Sequence, residues 1–544
     1  MATGNGLGRR NVTRRALLRA AATAAAAMPA AAALACNSRP SAAPGSSSSS
    51  GPSEANIKLA DAQELLVRIY DEPTGFDPAS IFRIEAENVA VNIYSGLTTF
   101  DSKSGEPIAD LAEHWEIAPD AKTFTFKLRP NAQWQSDYGR VTSADVRYSY
   151  ERILNPSTRS SYRAELNNVD AIETPDDLTV VIKLKAPDVN FLYQVGNYHQ
   201  GQIVKREAVE KFGDAYPRNP VGTGPYKLTS WTPNSQMVLE AHDGYFRGKP
   251  TLRKVTYRLI KDENAAEVAI RNGEVAVAMN FALNETLQRL AKDTTLVLLK
   301  SDAYANNLAV LNLDFKPFSD VRVRQAMAYA VDYASIAKRL APLTQSPADN
   351  LIPPFMPVYT SDVPHYGYNV DKAKELLKAA GYPNGFSVKL LQGGPPDAPT
   401  QLRQSMYADA GIKLDFDIVD TAALNRRRGT GEYEIAGRLY PAVNPDTLLF
   451  GYLHPDNIVP QGLNGAKYNN ATLTAKLEAA RAETNVDKRK ALYAEVEKIA
   501  MTDLPYLPMY TANVYWAAYP WVHGVTVNKL AEAEWYPVKI EAHG

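Results

Sequence analysis

Hydrophobic and polar residues follow two rhythms along this chain. Residues 65–69 (Leu-Leu-Val-Arg-Ile) form a short apolar run of the kind a buried strand needs. Residues 123–128 (Thr-Phe-Thr-Phe-Lys-Leu) alternate with period two. Residues 178–184 do the same after the turn Pro175-Asp176-Asp177, so both segments are expected as half-buried strands. A helical rhythm sets in over 321–333, behind Ser319-Asp320 as a cap, with Val321, Ala328 and Val331 among polar neighbours. Residues 371–380 predict a helix stopped by Gly381, and 487–500 another that ends before Pro505. The rhythms mix without an internal repeat, which predicts α/β or α+β architecture in several layers.

The first 56 residues obey neither rhythm. Arg9, Arg10, Arg14, Arg15 and Arg19 precede an uncharged, alanine-rich run over 20–35. A positive flank, an apolar middle and small residues before a cleavage point are the parts of a signal peptide, here expected over 1–35. The run Thr13-Arg14-Arg15-Ala16-Leu17-Leu18-Arg19 resembles a twin-arginine export signal. Ala33-Leu34-Ala35-Cys36 resembles a lipobox, with Ala33 where Leu is usual, so Cys36 is the expected lipidation site. It is the single cysteine of the 544 residues and has no thiol to pair with. Residues 36–56, rich in Ser, Pro and Gly, predict a flexible tether.

Composition narrows the function. Removing residues 1–35 takes five arginines and no acid from 59 basic and 60 acidic residues, which leaves a mildly acidic chain. Nucleic acid is therefore not an expected partner, and the triplet Arg426-Arg427-Arg428 reads as a solvated loop face. Nothing later approaches the roughly 18 apolar residues of a membrane span. About 500 residues exceed one hydrophobic core, so at least two lobes are expected. Thirty tyrosines against fifteen phenylalanines fit lined, polar cavities.

Several segments, taken together, resemble bacterial solute-binding proteins of family 5, the extracytoplasmic oligopeptide/dipeptide/nickel-type receptors of ABC importers. They are Leu111-Ala112-Glu113-His114-Trp115-Glu116, the strand segment 122–129, Ser143-Ala144-Asp145-Val146, Pro220-Val221-Gly222-Thr223-Gly224-Pro225-Tyr226 and Asn272-Gly273-Glu274-Val275. Further on come 317–326, Tyr368-Asn369, Ala380-Gly381-Tyr382 and Leu504-Pro505-Tyr506-Leu507-Pro508. The resemblance spans about 64–540. It implies an α/β fold: a two-lobed periplasmic-binding-protein type II clamp with an additional inserted subdomain in lobe one. Lobe one would comprise 57–305, with the insert near 96–205, and the returning segment 515–544. Lobe two would comprise 306–514. The chain would cross between them near 304–313 and 508–516, and the crossings would form a hinge. The implied role is capture of a small solute, an oligopeptide first, and delivery to ABC permease subunits. Expected are a monomer, an extracytoplasmic location with the membrane touched only through the lipid anchor, and no cofactor.

Candidate binding residues follow from the resemblance. Phe82, Arg83 and Ile84 lie in a loop that relatives present to ligand. Tyr304, Asn306 and Asn307 sit at the first crossing, Tyr510 and Asn513 at the second. Arg438, Tyr440, Asn444 and Asp446 belong to the segment that, in peptide-binding relatives, carries an aspartate for the peptide ammonium. Pro441 occupies that position here, and Asp446 reads as an N-cap of the next helix. An ammonium buried without a counter-charge is costly, so an oligosaccharide or another polar organic solute is the alternative to a peptide, with metal chelates third. An enzyme is the contrasting class, yet no nucleophile elbow, His-Glu-x-x-His or P-loop occurs. Gly244-Tyr245-Phe246-Arg247-Gly248-Lys249-Pro250 has the wrong spacing for a P-loop. Gly222 and Gly224 read as turn glycines. The histidines (His114, His199, His242, His365, His454, His523, His543) lack ligand spacing, so no metal site is expected.

Overall fold

The structure is a computed structural model that describes residues 57–543 other than 82, 442 and 443; the side chains of 302–304, 440 and 441 also fall outside the description. The export segment, Cys36 and the tether, with Phe82, therefore lie outside the described residues.

One sheet of eleven strands runs through the body. Its strands are β1 (Glu64–Ile69), β2 (Tyr226–Thr232), β3 (Gln236–Ala241), β4 (Lys254–Leu259), β5 (Val277–Phe281), β6 (Val297–Leu311), β7 (Gln345–Pro347), β8 (Phe386–Gln392), β9 (Ile412–Ile418), β10 (Ile435–Pro441) and β11 (Tyr506–Ala518). Their order is β9-β8-β10-β6-β11-β5-β1-β4-β3-β2, with β7 alongside β11. The apolar run at 65–69 became β1 because it is covered by parallel neighbours β4 and β5 on either side. A second sheet of four strands contains Thr123–Leu128, whose side chains alternate between half-buried and buried as the period-two pattern requires, beside Thr179–Leu184.

Two large hydrophobic cores flank the middle of the long sheet. One is built from residues between Leu65 and Met279 together with Val514 to Ile540; the fully buried Trp516 and Trp535 come from the returning segment. The other gathers Leu308 to Tyr510. A small third cluster around Ala266, Ile270, Leu287 and Ala517 lies beside the first. The strands β6 and β11 pass from one core to the other. They are antiparallel partners from Val297↔Ala518 to Val310↔Tyr506, with register shifts at Ser301/Ala305 and Asn307/Leu308. Toward the first core β11 pairs with β5; toward the second β6 pairs with β10.

Three local expectations are corrected. The helical stretch 321–333 is two helices, Val321–Tyr329 and Tyr333–Leu340. Asp320 accepts from the Arg322 N–H and Asp332 from the Ser335 N–H, so a second capping aspartate ends one helix and starts the next. Gly222 and Gly224 are required by close approach rather than by a turn: a Cβ on Gly222 would stand 2.0 Å from the Ile93 carbonyl oxygen, and one on Gly224 2.8 Å from it. The arginine triplet lies on a helix, Thr421–Thr430, and not on a loop. The helices Val370–Ala379, followed by Gly381 at φ 90°, and Val486–Asp503 match the expected segments to within a few residues.

Candidate functional site

The crossing strands bring several of the expected residues together. Asn306 and Asn307 on β6 stand opposite Tyr440 and Leu439 of β10 on one side, and opposite Thr511 and Tyr510 of β11 on the other. Asn306 is buried and its Nδ2 donates to the carbonyls of Asn350 (3.0 Å) and Leu351 (3.1 Å). Asn513 donates from Nδ2 to the Leu343 carbonyl at 3.0 Å. Both amides thus tie the crossings to the segment 343–351. The Tyr510 ring meets Tyr333 edge-on at 5.3 Å, and its hydroxyl is buried without a hydrogen-bond partner among the described residues. Burial raises its pKa. For Tyr304 and Tyr440 the description extends to the backbone in β6 and β10.

Arg83 and Ile84 sit elsewhere, at the start of the helix Ile84–Ala90. Arg83 is exposed and engaged, pairing with Asp71 at 2.5 Å and with Glu85. Ile84 packs against the first core.

Asp446 is not the N-cap of the helix Pro445–Leu453. Asn444 holds that place and accepts from the Asp446 N–H at 2.9 Å, which puts Asp446 at the second position of the first turn. Its carboxylate is buried and faces Arg481 Nε at 3.2 Å. Arg481 Nη2 reaches Asp188 at 2.7 Å, and its guanidinium lies over the Phe450 ring at 3.9 Å. Asp188 lies between Leu184 and Phe191 of the first core and Arg481 beside Ala480 of the second, so one arginine links the two cores. Around it, the Val189 N–H donates to the Arg481 carbonyl (2.9 Å) and Asn190 Nδ2 to the Tyr493 hydroxyl (2.7 Å). Burial pushes the Asp446 carboxyl up, Asp188 pushes the same way, and Arg481 opposes both. Asp446 is therefore engaged by a counter-charge of the protein itself.

A different chemistry lies on the second-core side of the crossings. A cavity of about 130 Å³ is bounded by Ala309 of β6, Met509 of β11, Gln392 at the end of β8 and Gly437 of β10. Thr400, Arg403 and Tyr407 reach it from the helix Ala398–Asp409, and Arg428 from the helix Thr421–Thr430. Successive helix residues point about 100° apart, so the triplet divides. Arg426 is exposed, Arg427 pairs with Asp417 at 2.7 Å, and Arg428 turns inward. Arg403 donates to Thr400 Oγ1 (2.6 Å) and contacts the Met509 sulfur (2.8 Å). The Nε atoms of Arg403 and Arg428 are buried without an acceptor among the described residues. Burial lowers the pKa of Arg428, and the like charge of Arg438 lowers it further. Arg438, expected as a site residue, follows Gly437 on β10 and is not among the residues that line the cavity.

Arg403, Arg481 and Asp188 escaped sequence reasoning because each lies in an ordinary helix or loop pattern with no motif around it. Arg428 was visible in the triplet, but only the helix that carries it separates Arg428 from its exposed neighbour Arg426. Among the described residues no group of three His, Cys, Asp or Glu side chains is placed to hold a metal ion, and no helix is long and apolar enough to cross a membrane.

Two cores joined by a pair of antiparallel strands, the first gathered from both ends of the chain and the second from one uninterrupted stretch, define a clamp-type solute-binding protein. Residues 106–458 match the model of bacterial extracellular solute-binding proteins, family 5 Middle, and the chain belongs to that family. A putative ABC transporter peptide-binding protein of Brucella ovis is 29% identical over 470 residues, covering 82% of this chain and 85% of the relative. A glutathione-binding protein of Salmonella paratyphi A is 28% identical over 459 residues, covering 82% and 89%. Among solved structures, AgaA of A. tumefaciens R10 in complex with agropinic acid superposes with a TM-score of 0.74 at 30% identity, covering 88% of this chain and 99% of that one. DppA of Helicobacter pylori in complex with the peptide STSA gives 0.76 at 26%, covering 88% and 98%.

Proposed function

We propose that this protein captures a carboxylate-bearing organic solute, an oligopeptide first, between lobe one (57–305 and 515–544) and lobe two (306–514), and delivers it to ABC permease subunits. The observation that carries the reading is the pair of crossing strands with a cation-lined cavity at their second-core end. Ligand contact with both lobes then favours the closed form over the open one. Relatives named for peptides, glutathione and agropinic acid support the choice of solute class. The role is binding without catalysis, by a monomer held to the outer face of a membrane through Cys36 and the tether 36–56.

Mass spectrometry of small molecules released from the purified mature chain, followed by a thermal-shift screen of tetrapeptides and oligosaccharides, tests this. Peptides are expected to raise the melting temperature by mass action and to compact the particle in small-angle scattering. Protection by sugars alone would move the assignment to the oligosaccharide reading. Consumption of the peptides would make the protein an enzyme. Cys36→Ser is expected to release the protein from membranes with peptide binding intact.

A further inference from the structure

We propose that the clamp carries a latch of its own, a seam where the second lobe lands on residues 188–198 of the first. The seam sets the affinity for every solute without touching any of them; this rests on the binding role above. The landing strip is stiff because a spacing of four turns Phe191 and Val195 toward the first core, where both are buried. The Asp188 N–H donates to the Ala121 carbonyl at 3.0 Å, and the Leu97 N–H to that of Val195 at 3.1 Å. Tyr193, on the short helix Phe191–Gln194, and Tyr198 beyond it form a separate small cluster with Leu530 of the returning segment. Three pieces of the second lobe meet this strip. Arg481 reaches the Asp188 carboxylate at 2.7 Å, and its carbonyl accepts from the Val189 N–H at 2.9 Å. The Tyr493 hydroxyl accepts from Asn190 Nδ2 at 2.7 Å. Phe355 packs at once against the second core and against the cluster of Tyr193, Tyr198 and Leu530, with Lys529 Nζ 5.7 Å from its ring centre.

The chemistry suits a joint that opens and closes. Arg481 keeps Asp446 as a counter-charge within its own lobe, at 3.2 Å, so parting the lobes strands no buried cation and returns Asp188 to water. Phe355 is half-buried, so little apolar area is exposed when its ring leaves the cluster. Its place is fixed from the hinge. Pro353, Pro354 and Pro357 restrict the backbone around it, and the Met356 N–H donates to the Pro353 carbonyl at 3.1 Å. At the base of the same segment, the Asn306 amide on β6 holds the carbonyls of Asn350 and Leu351. A bend of β6 therefore carries Phe355 toward the strip or away from it. The work of closing is shared between solute and seam, because the apparent affinity is the intrinsic one reduced by the fraction of protein in the closed form. Contacts that raise this fraction strengthen the binding of all solutes alike.

The test uses the full mature chain and two probes of different chemistry, tetra-alanine and glutathione. The variants come from both sides of the seam: Asp188→Asn and Phe355→Ala, with Phe355→Leu as the conservative control. Calorimetry is expected to show Asp188→Asn and Phe355→Ala each losing about tenfold in affinity. The loss should be the same for both probes, so that the ratio of the two affinities stays that of the wild type, and it should appear in the dissociation rate. Phe355→Leu should recover most of it. In small-angle scattering the solute-free variants are expected to be larger than the solute-free wild type, and saturating probe to bring all of them to one compact size. Damage to either core would not be reversed in this way. A loss confined to one probe would make these residues solute contacts and overturn the seam. Solute-free variants as compact as the wild type would overturn it as well. If neither probe binds the wild type, scattering decides alone: expanded variants keep the seam while the peptide reading falls.

Discussion

Arg481 and Arg428 are both inward-facing arginines of the second lobe, yet their surroundings are opposite. Arg481 is enclosed by two carboxylates, a backbone contact from the other lobe and an aromatic face. Arg428 shares its cavity with Arg403, Thr400 and Gln392 among apolar residues, and pairs with no carboxylate among the described residues. A charge whose partners come from the same chain is part of the architecture. A charge left without one marks a place where the architecture waits for something else. Their expected responses to substitution have opposite signs, which is how the comparison can be broken.

Arg481→Met should have the largest effect. It leaves Asp446 and Asp188 buried against each other, and a buried pair broken on one side costs about 3–5 kcal/mol. Urea unfolding should show that loss; a change below about 1 kcal/mol would mean that the cluster is already neutral. Asp188→Asn should cost about 2 kcal/mol, the scale of a charged hydrogen bond, and should act between the lobes. Hydrogen exchange is expected to rise at Val189 and Asn190 more than in either core. Arg428→Gln should go the other way, with a gain of about 1 kcal/mol in the unliganded protein and a loss of solute affinity. A destabilised variant would place Arg428 with Arg481 after all.

Glu497 offers the finest test. It is buried in the second lobe, where Asn350 Nδ2 and, at 3.3 Å, the Thr360 N–H donate to it, and no cation is among these partners. Burial lifts its carboxyl from 4.5 to about 8. The folded protein therefore keeps a proton that the unfolded chain has released between those values, so stability is highest below pH 4.5 in this respect and falls as pH rises toward 8. Glu497→Gln mimics the protonated acid. At pH 5 it should change stability by less than about 1 kcal/mol, and thermal melts between pH 5 and 8 should show a flatter profile. An unchanged profile would mean that Glu497 is ionised throughout.

Period-two patterning made Thr123–Leu128 and Thr179–Leu184 legible, because one buried face imposes alternation on any strand. The crossings at 304–313 and 508–516 were legible through family resemblance alone; periodicity carries no sign that β6 and β11 are partners some two hundred residues apart in sequence. Asp332 looked like an interior helix residue because a capping aspartate and a helical one share the same local pattern until the turn is seen. The site was less legible still. Asp446 was noticed for its charge, and its burial against Arg481 depends on a helix that begins at Ala471 and on a loop from the other lobe. An unpaired arginine is defined by what fails to surround it, and a single sequence does not record that.

The partnership of β6 and β11 also sets an order of assembly. Everything between them is one uninterrupted stretch, so the second core is complete as soon as Tyr510 has been made. The first core begins with Leu65 and still awaits Trp516 and Trp535, near the very end of the chain. The lobe that is started first is finished last. During synthesis the two ends of the chain must find each other across an already folded neighbour, and a truncation after residue 510 would spare the later lobe and strand the earlier one.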